Sequence, residues 1–187
     1  MLIRLETESE IQHQIWKELG RATQDRHHAW RTPVLATTSI DGGVNARTVV
    51  LRSVDTEASR FQIYTDARSY KVQELSSQPS AVFVFWSARL RWQLRVRVHV
   101  TLQTCGPQVD RLWSQVKQTP SATDYLSPLP SGVGIDSSHQ SDDSSVTSAN
   151  HFALLTAQVL ELDWLELSSL GHRRARIMHD SWEWLVP

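Results

Sequence analysis

The sequence holds a single cysteine, Cys105, among 187 residues. That rules out an intrachain disulfide and any cysteine-pair metal motif, and it fits a reducing compartment. Net charge is −1, which makes sequence-independent nucleic-acid binding a poor default, so any cation cluster has to be local. No apolar run approaches the roughly 18 residues of a membrane span, and the opening MLIRLETESE lacks a signal-peptide core. The expectation is a cytoplasmic protein. His27 and His28 near Asp25, and His172 near His179, stand without a second ligand pair at zinc spacing, so no metal is expected. Serines abound, but no nucleophile elbow is present and no repeat is visible.

What is there reads as one domain over residues 1–187, with an N-terminal helix within 1–30 and a serine-rich loop over 131–150. Residues 7–24 have helical periodicity: Thr7 and Glu10 stand at capping-box spacing, and Ile11, Ile15, Trp16 and Leu19 form one apolar stripe. Residues 33–40 read as a strand ending at Asp41-Gly42-Gly43, a hairpin signal whose partner strand is 44–54. Arg60 to Asp66 reads as another strand, followed by a helix over 69–76. The apolar run 81–86 reads as a strand buried on both faces. Residues 92–102 alternate, with Leu94, Val96, Val98 and Val100 on one face and Gln93, Arg95, Arg97 and His99 on the other. A helix over 107–118, a strand over 152–167 and a closing hairpin from His172 to Val186 complete the chain. About seven strands joined mostly by turns predict a mainly β protein, a β-barrel with peripheral helices. Eight tryptophans belong mostly to core or interface.

The chemistry concentrates between Arg47 and Lys71. Arg47, Arg52, Arg68, Ser69 and Lys71 bring guanidinium forks, an ammonium and a hydroxyl together on two strands and one helix start. Those are the groups a phosphate monoester requires. Arg47 and Arg52 flank an apolar or β-branched stretch on opposite faces, which points at least one of them toward a bound anion or a partner chain.

RTVVLR, YTDARSYK, QELSSQPSAVFVFW and Gln93 in LRWQLRV, in that order over residues 33–104, resemble the pyridoxamine 5'-phosphate oxidase family of FMN-binding split barrels. DWLELSSLGHRRARI resembles that family's closing strands more loosely. The resemblance implies FMN as cofactor, a homodimer with FMN at its interface, a small-molecule substrate, and hydride transfer to the flavin. It implies Arg47, Ser69 and Lys71 at the FMN phosphate, with Arg68 standing in for the family's arginine at position 70, here Tyr70. It lays Thr48, Val49, Val50, Leu51 and Arg52 against the ring, Tyr64 and Thr65 beside ring and ribityl chain, and Gln93 on the polar ring edge. Gln140, Ser141, Trp164 and Arg176 (or Arg174) complete the implied cofactor set. Ser131 and Arg173 fall on the substrate side, with Arg52 and His99 as further candidates for substrate contact. Arg52 stands where the family has lysine, and LSPLPSGVG keeps only Ser131 of the substrate-phosphate segment, with Tyr125 a candidate for its tyrosine. The expectation is therefore FMN binding with a substrate other than pyridoxamine phosphate. The alternatives are a non-catalytic FMN carrier, an NAD(P)H-dependent flavin reductase, or a split barrel that has lost flavin.

Overall fold

The computed structural model describes residues 4–134, 150–179 and 181–187. Helix α1 spans Glu8–Gln24. It starts where the Glu10 N–H donates to Thr7 Oγ1 at 3.2 Å and the Thr7 N–H donates to Glu10 Oε2 at 3.0 Å. This is the reciprocal cap expected from the spacing. Its stripe of Ile11, Ile15 and Leu19 is fully buried, and Trp16 meets Phe61 edge to face at 6.1 Å.

Nine strands follow: β1 Val34–Thr38, β2 Val44–Thr48, β3 Ser53–Asp55, β4 Arg60–Asp66, β5 Ser80–Ser87, β6 Trp92–Gln103, β7 Phe152–Glu166, β8 Arg173–Met178 and β9 Ser181–Leu185. Helix α2 is Tyr70–Ser77 and α3 is Pro107–Val116. Pairing is antiparallel in the order β2-β1-β5-β6-β7-β4-β3, with β8 on β7 and β9 on β8.

The predicted strand over 44–54 divides in two, and the division closes the barrel. The Val49 N–H still donates to Pro33 O at 3.0 Å and Leu51 N–H to Arg31 O at 2.8 Å, but Arg52 N–H donates to Gln62 O at 2.9 Å. The segment thus leaves the edge of β1 and joins β4. Because β2 and β3 stand at opposite ends of the sheet order, this one bent segment joins the ends. The break adds one strand to those expected, and the described residues hold nine rather than about seven.

β7 explains the other opening. Its first half pairs with β4 and its second half with β8. Between Val159 and Glu161 the register against β6 shifts, leaving Leu160 as the extra, exposed residue. Such a bulge bends a strand and lets its edge change partners.

Phe61, Phe83 and Phe85 fill the interior, with Phe61 5.8 Å from Phe83 and 6.0 Å from Phe85 between ring centres. Each such burial contributes on the order of 1.5–3 kcal/mol. β6 alternates as predicted, Leu94, Val96 and Val98 being fully buried. β5 does not bury both faces within one chain: Ala81, Phe83 and Phe85 point inward, while Trp86 is exposed. The stretch between Arg47 and Arg52 is likewise exposed at Thr48 and buried only at Leu51. Val109, Tyr125, Phe152 and Leu154 form a second, smaller core where α3 covers the outer face of β4 and β7.

Candidate functional site

The end of β4 and the start of α2 build one corner of the barrel. Ser69 takes an extended conformation as the N-cap of α2 but makes no side-chain cap bond to the first turn. Its Oγ instead donates to Asp66 O at 2.8 Å and lies 3.3 Å from Thr65 Oγ1. Lys71 Nζ donates to Thr65 Oγ1 at 2.9 Å and to Ser69 Oγ at 3.1 Å. Burial, and then the neighbouring Arg47 charge, push the Lys71 ammonium below its ordinary range.

Arg47 approaches from β2. Its Nη2 donates to Glu74 Oε2 at 2.9 Å, and its Nη1 bonds the Thr37 hydroxyl. Glu74 is nearly fully buried and also accepts from Thr37 Oγ1 at 2.6 Å and from the Asn45 amide. Burial alone would raise the Glu74 carboxyl, but Thr37, Asn45 and Arg47 outweigh it and hold it below the usual carboxylate range. Asn45, Arg47, Ser69, Tyr70, Lys71, Ser131 and Gly132 line an open cleft of about 310 Å³ here.

Arg68 is turned away from that cleft. It forks onto Asp66, with Nη2 2.7 Å from Oδ2, and donates to the Ser127 and Pro128 carbonyls at 2.9 and 3.2 Å. The expectation that it replaces a phosphate-binding arginine is corrected accordingly: its N–H groups pin the loop after Tyr125. That loop brings Gly132, at φ +92°, so close to the Tyr70 ring that a Cβ there would lie 2.7 Å from Tyr70 Cε2. Ser131, placed by sequence on the substrate side, thereby joins the rim of the Arg47–Lys71 cleft.

Arg52 faces a different neighbourhood. Its guanidinium lies 5.4 Å from the Tyr64 ring centre, and its Nε is buried without a hydrogen-bond partner among the described residues. Burial raises the Tyr64 and Tyr125 hydroxyls, and Arg52 opposes both shifts. Gln93 sits half-exposed on the outer face of β6, between Trp86 and Leu165, with no hydrogen bond to its side chain among the described residues.

The carboxy-terminal candidates lie elsewhere. Trp164 is fully buried, packed edge to face on Trp92 at 5.3 Å and Trp184 at 6.4 Å, so it presents no surface to a ligand. Arg173 bonds Glu166 at 2.9 Å and Leu5 O at 2.9 Å; it ties strand ends to the N-terminal segment rather than facing a substrate. Arg174 forks onto Asp163, and Arg176 pairs with Glu183 at 3.1 Å. The rise per residue of β7 puts Trp164 on the order of 40 Å along the strand from Phe152, which pairs with Asp66. One chain therefore does not bring Trp164, Arg173 or Arg176 to the α2 cleft. His99 is exposed on β6. Gln140 and Ser141 lie outside the described residues.

Sequence reasoning missed Glu74, Asn45 and Thr37. The available signal was a carboxylate one turn after Lys71, beside Val72 and Leu75, on the buried face of α2.

The corner fits FMN on its own chemistry. Among the described residues Lys71 is a half-buried cation in no ion pair, held only by neutral hydroxyls beside a helix start without a side-chain cap. A phosphate would supply the missing counter-charge.

The family model described as the FMN-binding domain of pyridoxamine 5'-phosphate oxidase matches residues 13–104. A pyridoxine/pyridoxamine 5'-phosphate oxidase of Ruegeria sp. is 37% identical over 98 residues, 52% of this chain and 47% of that protein. One from Thermosynechococcus vestitus is 42% identical over 66 residues, 35% of this chain and 30% of that protein. The chain thus spans about half or less of the curated relatives it matches. Among solved structures, a pyridoxamine 5'-phosphate oxidase-related, FMN binding protein from Nostoc punctiforme superposes with a TM-score of 0.72 at 22% identity, covering 94% of this chain and 96% of that one. PhzG from Burkholderia lata superposes with a TM-score of 0.71 at 18% identity, covering 100% and 98%. The matched segment carries the barrel corner just described, and residues 13–104 are an FMN-binding domain of the pyridoxamine 5'-phosphate oxidase-like split-barrel family.

Proposed function

We propose that the chain is an FMN-dependent oxidoreductase that accepts a hydride from a small anionic substrate other than pyridoxamine phosphate. The observation that carries this reading is the pair of cation sites at the two ends of the bent segment between β2 and β3: Arg47 toward α2, and Arg52 toward Tyr64 and Tyr125. In this reading Arg47, Lys71 and Ser69 hold the FMN phosphate. The backbone of Val49, Val50 and Leu51 supports the ring, Thr65 borders the ribityl chain, and Gln93 offers its amide as both donor and acceptor to the polar ring edge. The flavin supplies the hydride-accepting chemistry, and the protein supplies placement and charge. Arg52, with its orphaned Nε, holds the substrate's anionic group against Tyr64. Arg68, the cation beside the segment after Tyr125, is engaged by Asp66 and by the Ser127 and Pro128 carbonyls, so it is not offered to a second phosphate. The PhzG neighbour was solved with tetrahydrophenazine-1-carboxylic acid, so a barrel of this kind accommodates a ring-bearing carboxylate.

Val34, Val44 and Trp86 are exposed on the outer face of β1, β2 and β5, respectively. A second copy covering them makes a homodimer, in which Arg176, on the same outer face, approaches the partner's flavin. The exposed Cys105 fits a cytoplasmic setting.

The test is the purified protein's flavin absorption, followed by anaerobic mixing with candidate donors. We expect yellow protein whose colour survives pyridoxamine 5'-phosphate. Rapid bleaching by that compound would restore the family's vitamin activity, and colourless protein that ignores added FMN would end the reading. A second reading, an FMN carrier or NAD(P)H-dependent flavin reductase, is favoured by one observation. The groups beside Arg52 are Tyr64 and Tyr125, whose hydroxyls burial raises, so they offer a substrate hydrogen-bond donors rather than a base. Bleaching by NADPH alone selects the reductase.

A further inference from the structure

Glu74 is 3% exposed, and three side chains donate to its carboxylate: Thr37, Asn45 and Arg47. All three belong to the β1–β2 hairpin, whereas Glu74 belongs to α2, one turn past Lys71. One carboxylate therefore couples the helix that carries the ammonium to the strand that carries the guanidinium. Its charge also has the same sign as a phosphate bound in the adjoining cleft. The two effects oppose each other: holding Arg47 in place favours phosphate binding, and like charge disfavours it.

We propose that Glu74 is a positioning residue that sets FMN affinity, fixing the Arg47 guanidinium at the cleft while its negative charge keeps phosphate binding weaker than Arg47 and Lys71 alone would give. The inference rests on the assignment of Arg47 and Lys71 to the FMN phosphate.

Glutamine at this position separates the two effects. Its oxygen still accepts from Thr37 and Arg47. Its NH₂ meets Asn45, whose side-chain amide has no other partner among the described residues and can turn its oxygen inward. Glu74→Gln thus keeps the geometry and removes the charge, whereas Glu74→Ala removes both. Riboflavin, which lacks the phosphate, reports on everything except the anion.

The experiment titrates FMN and riboflavin into flavin-free wild-type protein and the variants Glu74→Gln, Glu74→Ala and Arg47→Ala. Glu74→Gln is expected to tighten FMN about fivefold and leave riboflavin unchanged. Glu74→Ala is expected to weaken FMN about tenfold. Unchanged or weaker FMN binding by Glu74→Gln, or an equal change for riboflavin, overturns the proposal. Should Glu74→Ala fail to fold, Glu74→Gln decides alone. Arg47→Ala distinguishes the levels of failure. If it loses FMN affinity while Glu74→Gln changes nothing, only the role of Glu74 falls. If it binds FMN like wild type, the phosphate assignment falls as well.

Discussion

Arg47 reaches across from β2 to Glu74 on α2 with an N–O separation of 2.9 Å. The arginine is partly exposed and the carboxylate is buried, so the pair is unequal. Removing the arginine leaves an unpaired charge inside, whereas removing the carboxylate leaves a cation that water can still reach. Arg47→Ala is therefore expected to lower the stability of the flavin-free protein by about 2–3 kcal/mol. It is also expected to weaken FMN binding by about 2 kcal/mol. Thermal unfolding and FMN titration check the two halves separately; wild-type values in both would place Arg47 outside the site.

Lys71 gives FMN binding a pH dependence. Burial and Arg47 lower its ammonium in the free protein, and a bound phosphate favours the charged form. Between the phosphate's own second pKa, about 6, and the lowered pKa of Lys71, affinity is level. Above the latter binding must take up a proton, so affinity falls as pH rises. Lys71→Arg should keep its charge and flatten that alkaline slope. A slope that persists in Lys71→Arg would assign it to another group.

Much of the architecture is legible in residue order because local rules and tertiary packing agree. Thr7 and Glu10 cap α1 as their spacing requires, and the alternation of β6 matches its burial. The break at residues 49–52 was not legible. Val49 to Arg52 have good strand residues, and only the exchange of β1 for β4 as partner interrupts the ladder. β5 misled for a different reason: Val82, Val84 and Trp86 look like core, yet one chain alone leaves that face partly open. At the site, the cations could be counted in the sequence but their carboxylate partners could not. Arg68 looked available until Asp66 and two loop carbonyls took its N–H groups.

Glu18 predicts the acid limb of stability. It is buried and accepts from Gln14 at 2.8 Å, Arg21 at 3.1 Å and Arg89 at 2.8 Å. The Trp30 N–H donates to His28 Nδ1 at 3.1 Å, so Nε2 carries the hydrogen that faces Glu18 at 2.7 Å. Burial works to raise the Glu18 carboxyl, but His28, Arg89 and Arg21 prevail and lower it. A depressed folded pKa contributes stability that is present above the unfolded value, about 4.3, and is lost as pH falls through the folded value. Acid unfolding of Glu18→Gln should accordingly show a shallower dependence on pH than wild type. Identical slopes would assign the limb to Glu74, Asp163 and Glu166, which are also lowered.

Gln93 is half-exposed with no side-chain hydrogen bond among the described residues. Gln93→Leu should leave the folding stability within about 1 kcal/mol of wild type while shifting FMN affinity or the flavin's reduction potential. A variant that simply unfolds would show that the amide is structural.

Arg52→Gln should raise KM for an anionic substrate by about tenfold or more, the effect of losing one charged hydrogen bond, with FMN affinity little changed. Equal losses in both would merge the two cation sites into one.

The central claim is that the FMN phosphate occupies the corner between the end of β4 and the start of α2. The structure of the FMN complex tests it most directly. The account predicts phosphate oxygens within about 3 Å of Lys71 Nζ and of the Arg47 guanidinium. A phosphate seated elsewhere, with Lys71 still bonded only to Thr65 and Ser69, would contradict it.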